Sequence, residues 1–93
     1  MNKTEQKFLS LVRSSTMRSF LAAHKVLDEI STPVLVTAAT ELASRARYLF
    51  MTDTPEKAEN ANQLASQILG VLRSRNQDVP ALSAKIHDNA KMF

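Results

Sequence analysis

Residues 32–53 read TPVLVTAATELASRARYLFMTD, and this stretch decides the fold. Thr32 precedes Pro33, whose missing N–H costs nothing at the first position of a helix. A threonine there predicts an N-cap. At 100° per residue, Leu35, Ala39, Leu42, Ala43, Ala46, Leu49 and Phe50 fall on one broad face. Thr37, Thr40, Glu41, Ser44, Arg45 and Arg47 fall on the other. A second cap signal, Asp53-Thr54-Pro55, closes the segment. The prediction is one long helix over about 33–52, with its apolar stripe in a core.

Both ends of that helix break the division into two faces. Val34-Leu35-Val36 and Tyr48-Leu49-Phe50-Met51 are apolar all round, so Val34, Tyr48 and Met51 project from the polar side. Two readings compete. Neighbouring helices cover both ends, or the tyrosine end is a surface for a partner.

Working outward, the second long helix is expected over about 55–75. Ala58, Ala61, Leu64, Ala65, Ile68, Leu69, Val71 and Leu72 share one side. Glu56 and Glu59 near its start, and Arg73 and Arg75 near its end, complement the helix dipole. Asn76 is a C-terminal stop. Gly70 falls on the polar side of the helix. It is read as a tolerated glycine facing water, in preference to part of a Ser66, Gly70, Ser74 contact row. An echo links the two helices. Thr32-Pro33 recurs as Thr54-Pro55, and Glu41-Leu42-Ala43-Ser44 as Gln63-Leu64-Ala65-Ser66, both 22 residues on. Decayed duplication and convergence on good helix residues both explain it; either way two similar helices pack as a hairpin.

Before the hairpin, Asn2-Lys3-Thr4-Glu5 has the spacing of a capping box. A helix over about 3–13 follows, with Phe8, Leu11 and Val12 on one face and Leu9 at its edge. Ser14-Ser15-Thr16 suits a cap or kink, since hydroxyl side chains compete for backbone hydrogen bonds. The next helix, about 16–30, carries Met17, Phe20, Leu21, Ala23, Val26, Leu27 and Ile30 in a wide apolar arc. His24 lies within that arc. It is read as a partly buried histidine bonded to Asp28 or a carbonyl, because a metal site needs three or four converging ligands. After the hairpin, Pro80 opens a last helix over about 80–91, with Leu82, Ile86, Ala90 and Phe93 on one side.

The fold class expected is therefore all-α: a compact bundle of four to five helices with short loops, residues 1–93 forming a single domain. One glycine in 93 residues argues against a turn-rich β protein. It also rules out a glycine-rich phosphate loop. No serine, histidine and carboxylate stand at a recognised catalytic spacing, so the chain is read as no enzyme, with no cofactor and no metal. The absence of cysteine removes disulfides and thiolate chemistry. No apolar run reaches the ~20 residues of a membrane span, and the N-terminal one is too short and broken for a signal peptide. A cytoplasmic protein without membrane contact is expected.

By elimination, function is expected on helix surfaces. Tyr48 and Met51, bordered by Glu41, Ser44, Arg45 and Arg47, have the composition of an interface centre, where Tyr, Met and Arg are enriched. The leading reading is a protein–protein interaction module: an inhibitor, adaptor or assembly subunit. Its partner is another protein or a second copy of itself. The alternative is a small basic nucleic-acid-binding regulator, on the net charge of +3 and the paired arginines.

Overall fold

The computed structural model describes residues 1–52 and 54–92. Asp53, part of the expected second cap, and Phe93 lie outside the described residues. Five α-helices follow in order: α1 (Lys3–Ser14), α2 (Met17–His24), α3 (Thr32–Met51), α4 (Pro55–Ser74) and α5 (Pro80–Ala90). A single 3-10 turn, Leu27–Glu29, joins α2 to α3. The bundle is all-helical, as the periodicity predicts. Its radius of gyration, 12.2 Å, is that of a compact chain of this length.

Local chemistry explains the boundaries. The Asn2 side chain accepts from the Glu5 N–H at 2.9 Å, and Glu5 reaches back to the Asn2 N–H, completing the expected capping box. At the hydroxyl run, Ser15 takes a left-handed conformation (φ 56°) that ends α1. Thr16 and Ser19 then cap α2 reciprocally. Residues 3–30 are thus two helices, and the second is shorter than expected. It stops at His24, and only the 3-10 turn follows before Ile30. Asn76, also left-handed (φ 60°), terminates α4 as predicted. The Gln77 N–H donates back to the Leu72 carbonyl at 2.9 Å.

The two Thr-Pro junctions differ from the expectation. The N-cap of α3 is Ser31, and neither it nor Thr54 makes a side-chain cap bond. Each hydroxyl is diverted. The Ser31 Oγ donates to Glu5 Oε2 at 2.6 Å, tying the start of α3 to α1. The Thr54 Oγ1 donates to the Leu49 carbonyl at 2.8 Å, closing the end of α3.

The direction of each helix follows from the long-range bonds. Glu5 meets Ser31 and Arg13 meets Glu41, so α1 and α3 run the same way. Arg75, at the end of α4, donates to the carbonyls of Ile30 (2.7 Å) and Asp28 (3.1 Å), so α4 runs back along α3. Arg73 meets Ser83, and Asn62 meets Ile86, so α5 reverses again.

α3 and α4 form the most extensive helix pair among the described residues. Their facing sides are lined with methyl groups. Ala38, Ala39, Ala43, Ala46, Ala58, Ala61 and Ala65 are all fully buried, and Leu35, Leu42, Leu64, Ile68 and Leu72 are buried on the same two helices. Small side chains let two backbones approach closely and gain dispersion energy along their whole length. α1 closes one side with Phe8, Leu9 and Val12; α2 adds Phe20 and Ala23, and α5 adds Leu82 and Ile86. Val71, Leu49 and Phe50, expected in the core, are half-buried.

One polar cluster sits inside this apolar frame. Asn89 is fully buried and donates to the Ala43 carbonyl at 2.9 Å and to Asn62 Oδ1 at 3.0 Å. The Asn62 amide donates to the Ile86 carbonyl at 3.2 Å. Asn89 Oδ1 is left without a hydrogen-bond partner. Periodicity alone did not reveal this pair.

Candidate protein-interaction surface

α1 has 12 residues and α3 has 20, about 18 Å against about 30 Å at 1.5 Å per residue. Since the two start together, α1 ends well short of the end of α3. The last bonds joining them among the described residues run from Arg13 and Ser15 to Glu41 and Arg45, and the chain turns away at Ser15. Beyond that point, among the described residues, the outer side of α3 is left open at Tyr48 and Met51. Tyr48 is 67% exposed and Met51 82% exposed. At the opposite end of α3, Val34 and Val36 pack against the core. Of the two apolar ends read from the sequence, one is interior and one is surface.

A shallow groove runs beside Tyr48. It is lined by Arg13, Thr40, Glu41, Ser44, Arg45 and Tyr48. Four of the six residues singled out in the sequence therefore meet in it. Arg47 and Met51 are exposed on the same helix but outside the lining. Helical spacing places Arg47 three residues from Ser44 and four from Met51, on the same flank.

The polar groups of the groove divide into those the fold uses and those it leaves free. The Arg13 guanidinium donates to both Glu41 oxygens, at 3.0 and 3.3 Å. That contact holds the Arg13 guanidinium further toward its charged form than usual, first through the hydrogen bond and then through the Glu41 charge. Arg45 Nη1 donates to the Arg13 carbonyl at 2.6 Å and to the Ser15 Oγ at 2.5 Å, so this arginine closes the C-terminus of α1. Lys85 of α5 donates to the Ser44 Oγ at 2.5 Å. Arg47 makes no hydrogen bond or ion pair among the described residues. Arg13, Thr40 and Lys85 were missed in the sequence. They come from other helices or from the edge of the polar face, and no local spacing marks them.

A second exposed apolar patch corrects the sequence reading. Met17 and Leu21, expected in the core, are 55% and 58% exposed. With eight residues, α2 presents only a narrow strip, Ser19, Phe20 and Ala23, to the bundle. The flank of its wide arc is left outside, over Asn60, Gln63 and Gln67 of α4. His24 is exposed there too, so the expected buried histidine is not found. No group of three His, Asp or Glu residues that could hold a metal occurs among the described residues. His87 lines a polar cleft between α4 and α5 with Glu59, Arg73 and Ser83. Ala90, expected to face the core, is exposed, and Asn89 takes its place inside.

No described helix is long and apolar enough to cross a membrane. Comparison with protein-family models, with curated proteins and with solved structures finds no match to this chain.

Proposed function

We propose that this protein is a non-enzymatic protein–protein interaction module whose binding surface is the uncovered outer side of α3, from Glu41 to Met51. One observation supports the reading. The helix that packs the core also carries a tyrosine and a methionine more than two-thirds exposed, side by side, past the end of its neighbour. Tyrosine offers a large contact area with few rotors to freeze, and methionine adapts to an irregular partner surface. Their seat is rigid, because Arg45, Glu41 and Ser44 are each bonded to another helix.

A photo-crosslinking amino acid in place of Tyr48 tests this in the source cell, with Lys25, just after α2, as the control position. A discrete protein adduct at position 48 and not at 25 is expected. An adduct with nucleic acid, or no adduct at position 48, overturns the reading. Against the captured partner, Tyr48→Ala should weaken binding by about 2 kcal/mol or more. Its effect on folding stability should stay within about 0.5 kcal/mol, as for an ordinary surface change.

A further inference from the structure

The charge of the molecule is not spread evenly. Four cations belong to the groove and its flank: Arg13 and Arg45 in the lining, Lys85 on Ser44, and Arg47 one turn along. Glu41 is the carboxylate among them. The whole chain has 12 Lys and Arg and nine Asp and Glu, so the rest of it holds eight of each and balances. The excess of three positive charges in this group equals the formal net charge of the whole chain.

We infer that the partner seated on α3 is an acidic protein segment, one that sets carboxylates against Arg47 and Lys85 and an apolar side chain against Tyr48 and Met51. This rests on the interaction reading above and adds the chemistry of the occupant. The inventory of committed groups sets the size of that demand. Arg13 is taken up by Glu41, and Arg45 by the end of α1. Arg47 has no side-chain partner among the described residues, and Lys85 spends one of three ammonium donors on Ser44. Two cations suit two or three carboxylates at helical or extended spacing. They fall short of the row of phosphate contacts by which nucleic acid is held. The apolar pair beside them on α3 matches a side chain rather than a sugar–phosphate backbone. Complementary charge of this kind sets the rate and specificity of encounter, and the apolar contact sets its lifetime.

The test is an NMR titration of the labelled full chain with three probes. One is a helical peptide of about a dozen residues built from Glu, Leu and Ala. The second is the same peptide with Gln in place of Glu. The third is an oligothymidylate of similar length. The acidic peptide should shift the amides of Thr40–Met51 and Lys85. Arg47→Glu with Lys85→Glu should weaken it about tenfold or more, while Arg18→Glu with Lys25→Glu, the same change of charge on α2 and at its C-cap, should not. If the Gln peptide binds this surface equally well, the interaction reading stands and the acidic partner is wrong. If no peptide shifts these amides, both fail. Tighter, salt-sensitive binding of the oligothymidylate at these amides would assign the surface to nucleic acid instead.

Discussion

Arg45, in the middle of α3, donates a hydrogen bond of 2.6 Å to the main-chain carbonyl of Arg13, in the last turn of α1. The carbonyls of a helix end have no partner within the helix, and here a cation from a neighbour supplies one. Arg45→Ala should therefore destabilise the bundle by about 1.5–3 kcal/mol, the range for a hydrogen bond to a charged group. Arg47→Ala, two residues on and with no side-chain bond among the described residues, should change stability by less than about 0.5 kcal/mol. Urea denaturation of the two variants checks this. Equal effects would mean that the Arg45 contact contributes nothing.

Glu5 gives the fold a dependence on pH. Its carboxylate accepts from the Ser31 hydroxyl and N–H, at 2.6 and 3.0 Å. These bonds, the hydroxyl first, hold its pKa below the usual 4.5. A pKa lowered by folding means the unfolded chain takes up protons first. The stabilisation is complete above the unfolded value and is lost as pH falls through the folded one. Melting temperature should drop on acidification below about pH 4.5. In Glu5→Gln the drop should be shallower, and the variant should melt lower than the parent at neutral pH. An unchanged acid limb would sink this.

The Asn62–Asn89 pair should behave non-additively. Asn62→Leu removes the acceptor of a buried amide and should cost about 1–3 kcal/mol. Adding Asn89→Leu removes the stranded amide and the unpartnered Oδ1 together. The double variant should be more stable than the single one, because replacing both members of a buried polar pair by apolar groups is often neutral or better. If the double variant is the less stable, the pair contributes more than its satisfied bonds suggest.

Gly70 has open space around its missing side chain, with nothing within 4 Å of a Cβ placed there. It lies in the body of α4 without a positive φ. Gly70→Ala should raise stability by about 1 kcal/mol, the difference in helix propensity. A rise in melting temperature with an unchanged circular dichroism spectrum is the expected result. A fall would show that the position needs glycine.

The helices were legible in the sequence wherever two signals coincided. Periodicity with a cap gave the start of α1 and the two 20-residue helices of the hairpin, while the hydroxyl run after α1 fitted a break or a bend equally well. α2 was over-read, because a 3.6-residue pattern continues through Val26, Leu27 and Ile30 although the backbone tightens into a 3-10 turn. Burial at Met17, Leu21 and His24 depended on how much of a short helix its neighbours could reach. The exposure of Tyr48 depended on a comparison of lengths between α1 and α3. Such facts belong to the assembled bundle, and no window of sequence holds them. His24→Gln, which a buried histidine would make costly, should now leave stability almost unchanged.

The alanine-lined seam between α3 and α4 has a thermodynamic consequence. Methyl groups hide little hydrocarbon from water compared with leucine or phenylalanine, so the hairpin gains much of its cohesion from close backbone approach. Unfolding then exposes less apolar surface per residue, and the heat-capacity change should fall below the ~12–15 cal/mol/K per residue of ordinary domains. The stability curve should be correspondingly flatter. Such a protein loses little on cooling, and its free energy of folding varies gently across a wide range of temperature.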